Sequence, residues 1–184
     1  MAVTDTARHA DVLLPAAAWG EKNGTVTNSE RRISRQRSFL PMPGEARPDW
    51  WIFAEVARRM GWRDAFDYIG PAGIFREYAA LSGTGNQGSR DFDISACADM
   101  TDAQYDTMAP FQWPWSAGGV SKTEQRFFGD GGFYTPDRRA RFVAVSWRAP
   151  DALPFAAHPL ILNTGRVRDQ WHTMTRTAQS PRLM

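Results

Sequence analysis

Near its carboxyl end the chain gathers groups able to hold an anion or a polar ring. Thr164, Arg166, Arg168, His172, Thr173, Thr175, Arg176 and Thr177 surround Gly165, Gln170 and Trp171. A guanidinium neutralises phosphate or carboxylate charge through a planar fork, and hydroxyls and backbone N–H groups bond oxygens and ring edges. A glycine lets the backbone come close. By residue type alone, a solvated basic loop is the simpler reading. A second polar cluster, at residues 10–32 (ADVLLPAAAWGEKNGTVTNSERR), offers Glu21, Asn23, Thr27, Asn28 and Glu30 on a loop behind an apolar run. Loops at the carboxyl ends of strands are where ligands gather in open α/β sheets. Glu30 with Arg31 or Arg32 reads more simply as an ion pair fixing that loop, contributing at most about 1 kcal/mol when exposed.

Other chemistries are poorly supplied. His9, His158 and His172 are scattered without ligand spacing, which argues against zinc and leaves His172 as a hydrogen-bonding or structural group. Cys97 is the single cysteine, so the chain by itself builds no disulfide, cysteine-ligated iron–sulfur cluster or cysteine-type zinc site, and it reads as a small buried hydrophobe. The 22 basic residues nearly balance the 20 acidic ones, for a net charge of +2. That balance disfavours the rival reading of a single-stranded nucleic-acid binder stacking bases on Trp113, Trp115 and Trp171. Arginine dominates the basic residues, with lysine only at Lys22 and Lys122. No apolar run approaches the roughly 20 residues needed to cross a bilayer, and no signal pattern opens the chain. A reducing, cytoplasmic setting is the expectation.

The elements that must position these groups follow from spacing. Val12, Leu13 and Leu14, stopped by Pro15, read as a buried strand, and residues 24–27 as a short extended segment. Residues 33–40 read as an exposed strand or irregular chain. The clearest helix spans 49–60, with Pro48 in its first turn, Asp49 near its positive end and Gly61 to stop it. Trp50, Phe53, Ala54, Ala57 and Met60 form its expected buried stripe. Beyond lie a short helix near 74–80, a turn-rich loop at 82–89, and a helix from Thr101 to about Met108 opened by a capping box with Gln104. Rigid aromatic chain at 110–114 and strands at 142–145 and 160–162 complete the reading.

Three segments resemble, in order, the molybdopterin-dependent oxidoreductases: residues 10–32, residues 47–61 (RPDWWIFAEVARRMG) and residues 164–183 (TGRVRDQWHTMTRTAQSPRL). Within that family, Trp50 with Trp51, RDFDIS at 90–95 and TGRVRDQWHTMTRT are most similar to the nitrate-reducing branch, with the formate-oxidising branch as the nearest alternative. The resemblance implies an internal fragment of an α/β protein, inactive in isolation. Residues 1–62 would be the end of a cofactor-binding α/β domain, 63–155 an irregular connecting region, and 156–184 the first strand and loop of a truncated, dinucleotide-binding β-barrel domain. It implies molybdenum held by two molybdopterin guanine dinucleotides, and a 4Fe–4S cluster and protein metal ligand outside this chain, so Cys97 is not that ligand. Nitrate as substrate and an electron-donor protein or reductase subunit would be the partners, with neither nucleic acid nor membrane. Thr164, Gly165, Arg166, Val167, Arg168, Asp169, Gln170, Trp171, His172 and Thr173 are the implied cofactor contacts; no catalytic or metal-binding residue is assigned.

Overall fold

Asn28 turns a hairpin. Its side-chain oxygen accepts from the N–H groups of Glu30 and Arg32, both at 3.0 Å, and its backbone N–H donates to the Arg32 carbonyl. This is the local bonding that makes asparagine a turn residue. The turn joins β1 (Gly24–Thr27) to β2 (Arg32–Gln36), paired antiparallel with Thr27 opposite Ile33 and Gly24 opposite Gln36. The computed structural model describes residues 3–120, 126–163, 165, 178 and 182, and it divides into the units Met1–Arg141 and Phe142–Met184.

In the first unit, α1 (Asp49–Arg59) begins after extended Pro48 and ends before Gly61, whose φ of +103° suits glycine. Next come α2 (Pro71–Gly83), α3 (Asp102–Asp106) and β3 (Phe111–Gln112), which adds to β2 with Phe111 opposite Ile33. The capping box opens α3 as its spacing predicts: Thr101 Oγ1 accepts from the Gln104 N–H, and Gln104 Oε1 accepts from the Thr101 N–H. Helix α2 runs three residues beyond the expected 80, because Ala79 and Ser82 continue the buried face begun by Phe75. Ile33, Phe75, Ala79, Ile94, Cys97, Tyr105, Met108 and Phe111 form the core, with Trp113 and Trp115 packed against it. Phe75 and Tyr105 meet with ring centroids 5.4 Å apart.

Several expectations need correction. Val12, Leu13 and Leu14 belong to no strand and are 55–70% exposed; chain continues from them to a single parallel bridge between Ala16 and Arg47. Helix α1 has the expected limits to within a residue, but only Ala54 and Ala57 of its predicted stripe are buried, Trp50 is half-buried, and Phe53 and Met60 are exposed. The loop at 82–89 is not simply solvated, since Ser82 and Asn86 are buried. The described sheet is small and antiparallel, and its mixture with helices is consistent with the expected fragment of an α/β fold.

In the second unit, the strands expected at 142–145 and 160–162 do not form. Phe142, Val143 and Val145 are exposed, as are Leu160, Ile161 and Leu162, and the described pairing is one bridge between Phe155 and His158. A β-prone run without a partner strand keeps its backbone bonded to water and forms no ladder. Among the described residues, no helix is long and apolar enough to cross a membrane.

Phe75→Ala is expected to destabilise the chain by about 3–5 kcal/mol, as for a fully buried aromatic. Half-buried Trp50→Ala should cost clearly less, and urea unfolding of the two variants checks the order.

Candidate functional site

Glu21, Lys22 and Asn23 of the opening motif have structural work around the hairpin. Glu21 Oε2 accepts from the Ala18 N–H at 2.7 Å, closing the turn Trp19–Glu21. The Asn23 side chain bonds Ser38 twice, accepting from its N–H and donating to its hydroxyl. Lys22 Nζ donates to Asp49 Oδ2 at 2.6 Å, tying the hairpin to the first turn of α1. That hydrogen bond holds the Asp49 carboxyl below its ordinary value of 3.8. Thr27 is exposed at the end of β1.

Arg31 of the same motif has partners far from it in sequence. Arg31, at φ +65°, sends its guanidinium 4.1 Å from the Phe127 ring centroid and 5.5 Å from that of Trp113, and donates to the Trp113 carbonyl at 2.6 Å. An aromatic face and a carbonyl thus contribute to holding the cation.

Among the clefts on this framework, two bear on the polar residues already named. The first, of about 460 Å³, lies between the hairpin, the start of α2 and α3, and is lined in part by Asn23, Arg35, Asp67, Arg76, Tyr105 and Asp106. Both of its guanidiniums are engaged. Arg35 donates to the carbonyls of Gly24 and Gln36 and to Asp106 Oδ1, and lies 4.4 Å from the Tyr105 ring centroid. Arg76 donates to Asp102 Oδ1 and the Met100 carbonyl. Carboxylates thus neutralise the two arginines, so this cleft fixes chain segments to one another.

The second cleft, of about 740 Å³, is apolar, walled by Tyr78, Leu81, Phe92, Phe128, Phe133 and Tyr134. Beneath it the RDFDIS segment is anchored by a buried polar hub. Asn86 is 1% exposed; its Nδ2 donates to the carbonyls of Ser82 and Phe92 and to Asp93 Oδ2, and its Oδ1 accepts from the Arg90 N–H. Asp93 Oδ1 accepts from the N–H and hydroxyl of Ser95. Ser82 Oγ donates to the Ala79 carbonyl and accepts from the Ile94 N–H. These buried groups bond one another and nearby backbone, the condition under which buried polar groups stabilise a core. Asn86 and Ser82 were legible only as loop residues, because neither has a spacing signal that betrays burial.

Of the implied cofactor segment, only Gly165 falls among the described residues, and it is exposed. Thr164, Arg166, Val167, Arg168, Asp169, Gln170, Trp171, His172 and Thr173 lie outside them. Among the described residues no three His, Cys, Asp or Glu side chains converge as metal ligands. Cys97 is fully buried, as its sequence reading predicts, and burial pushes its thiol up to about 11. A protonated, buried thiol is a poor metal ligand. Trp113 and Trp115 pack on the core and are not free to stack bases.

The chain's kinship supplies what this framework does not. Residues 1–59 match the molybdopterin oxidoreductase family. Over its whole length the chain is 52% identical to a nitrate reductase of Klebsiella oxytoca, and over 95% of its length 48% identical to one of Shewanella frigidimarina. A putative formate dehydrogenase, YrhE, of Bacillus subtilis is 35% identical over 95% of the chain. The chain spans 21%, 19% and 16% of these three relatives, so it corresponds to about a fifth of their length or less. The chain is thus similar along its whole length to molybdopterin oxidoreductases of the nitrate- and formate-handling kinds. Of these three relatives the two nitrate reductases share the higher identity with it.

Gly83 gives one test of the hub. A Cβ there would stand 2.6 Å from Ser95 Cβ and 2.9 Å from its hydroxyl, so Gly83→Ala forces the Asp93–Ser95 bonding apart and is expected to destabilise by about 1–3 kcal/mol. Chemical denaturation measures it. A second test concerns Lys22. Because the folded Asp49 value is depressed, its contribution is present above the unfolded value and is lost as pH falls through the folded one. In Lys22→Met, the part of the acid destabilisation that lies below about pH 4 should shrink by under about 1 kcal/mol, the scale of a largely exposed pair, in stability-against-pH titration.

Proposed function

We propose that this chain is an internal segment of the catalytic subunit of a molybdenum-dependent nitrate reductase. One observation carries the reading: end-to-end similarity to nitrate reductases of Klebsiella oxytoca and Shewanella frigidimarina, at 52% and 48% identity, against 35% for the putative formate dehydrogenase. In the whole subunit, residues 1–62 would close the α/β cofactor domain, 63–155 connect, and 156–184 open the dinucleotide-binding domain.

The described residues do not fit the metal itself, since they offer no ligand set and Cys97 is buried and protonated. The donor set of residues 164–173 does fit a pterin dinucleotide. Arg166 and Arg168 would neutralise its phosphates, Gly165 would let the backbone approach, and Thr164, Thr173, Gln170 and His172 would bond oxygens and ring edges. When bound between two molybdopterin guanine dinucleotides, molybdenum supplies the centre at which nitrate gives up one oxygen atom, taking two electrons and two protons to become nitrite and water. The electrons would arrive from a donor protein through a 4Fe–4S cluster outside this chain, in a cytoplasmic enzyme of nitrate assimilation.

A chimera tests the reading, with this chain replacing the aligned fifth of the Klebsiella oxytoca enzyme. It is expected to reduce nitrate and to leave formate unoxidised. Arg166→Ala with Arg168→Ala in that chimera should lower bound molybdopterin, read by fluorescence of its oxidised form, by about tenfold or more, since each charge-assisted hydrogen bond contributes about 1.5–3 kcal/mol. Undiminished molybdopterin in the double variant, or a chimera inactive on nitrate, rejects it.

A further inference from the structure

The second cleft carries charge as well as apolar surface. Its aromatic walls come from two parts of the chain: Tyr78 and Phe92, with ring centroids 5.3 Å apart, and Phe128 and Phe133, stacked at 4.6 Å, with Tyr134 beside them. Arg90 and Asp91 line the same cleft. Arg90 Nη2 donates to the carbonyls of Ser82 and Thr84, at 3.3 and 2.9 Å, while its Nη1 and Nε have no acceptor among the described residues. Asp91 Oδ1 accepts from the N–H of adjacent Phe92 at 2.8 Å, and the carboxylate enters no ion pair among the described residues. Burial, and after it the charge of Asp91, push the Tyr134 hydroxyl above its ordinary value of 10.0, so the carboxylate is felt at the aromatic wall.

We propose that this cleft binds a free α-amino acid with an aromatic side chain, its ring between the aromatic walls, its ammonium on Asp91 and its carboxylate on the uncommitted N–H groups of Arg90. The inference goes beyond the assignment to nitrate reduction and does not draw on it, since the cleft is built from residues 78–135 of this chain. Charge selects the class. One guanidinium and one carboxylate make a lining without net charge, and a ligand carrying one group of each sign on a single carbon answers both. A simple organic cation would meet Arg90, and a phosphate-bearing ligand would meet Asp91. A hydrocarbon would cover both charges and pair neither, at a desolvation cost. The walls select the side chain, because ring pairs in tilted and edge contacts gain more than their buried area alone. The volume, about 740 Å³, falls in the range of about 300–1,000 Å³ usual for small-molecule sites.

Equilibrium dialysis of the 184-residue chain tests this with L-phenylalanine and three probes that each lack one feature. Phenethylamine lacks the carboxylate, 3-phenylpropionate lacks the ammonium, and L-alanine lacks the ring. The expected result is saturable binding of L-phenylalanine, with each of the three probes weaker by about tenfold or more, the scale of one charge-assisted hydrogen bond or one lost ring. Asp91→Asn places the ligand. It should weaken L-phenylalanine by about tenfold or more and change 3-phenylpropionate, which has no ammonium to lose, by less than about twofold. Absence of saturable L-phenylalanine binding overturns the proposal. So do equal affinities for L-phenylalanine and its two singly charged analogues, which describe a cleft that reads no charge, and phenethylamine binding more tightly than L-phenylalanine, which describes a cation site. Because the probe series is run on the unaltered chain, it decides the matter even where Asp91→Asn fails to fold. Binding shown by the chain and lost in the chimera with the Klebsiella oxytoca enzyme also overturns it, since the surrounding polypeptide then fills the cleft.

Discussion

A buried amide organises the first unit. Asn86 offers two donor hydrogens and an acceptor oxygen at the point where the carboxyl end of α2, the 82–89 loop and the RDFDIS segment meet, and its amide lies within hydrogen-bond reach of four groups there, the two hydrogens shared among three oxygens. A hydrocarbon of the same shape would leave the Phe92 carbonyl, the Arg90 N–H and an Asp93 oxygen unpaired, each a loss of about 1–3 kcal/mol. The hub also positions apolar packing. Because Asp93 and Ser82 hold the backbone on either side of Ile94, Ile94 and Cys97 are presented to Phe75 and Tyr105, and the close seat of Ser95 against α2 requires the missing side chain of Gly83.

The arginine-rich composition acquires an internal use. Arg31 joins the hairpin turn to Trp113 and Phe127, Arg35 joins β2 to α3, and Arg76 joins α2 to the start of α3. Arg58 reaches from α1 to the carbonyls of Phe66 and Tyr68. In each case a planar fork spans a gap and bonds two or more acceptors, or lies over a ring, which a lysine ammonium does less well. The first cleft is therefore a zone of internal neutralisation, with its charges turned to one another.

Beyond this framework, the surface has an unusual share of large apolar groups. Val12, Leu13 and Leu14, Phe53 and Met60 of α1, and Leu160, Ile161 and Leu162 all read as core by pattern and lie exposed. They share a physical cause. A strand needs a neighbour for its backbone and a helix ridge needs a facing groove, and the chain spans about a fifth of its Klebsiella oxytoca relative. Pattern reports where a residue is buried in the complete fold, whereas exposure reports what is at hand to bury it.

Local signals were sufficient for the local elements. Pro48 and Gly61 bounded α1, Thr101 and Gln104 opened α3, Asn28 made the turn, and the types and order of residues in three segments carried the family. Each depends on neighbours within a few positions or on similarity of sequence, and neither requires tertiary contact. Tertiary structure alone decided the rest: that Arg31 reaches Trp113 and Phe127, far along the chain, that Asn86 in a polar loop is the buried hub, and that α1 presents alanines inward and Phe53 and Met60 outward. A side chain's partner is chosen among all groups the fold brings within reach. Composition and spacing along the chain record only what the residue is able to bond.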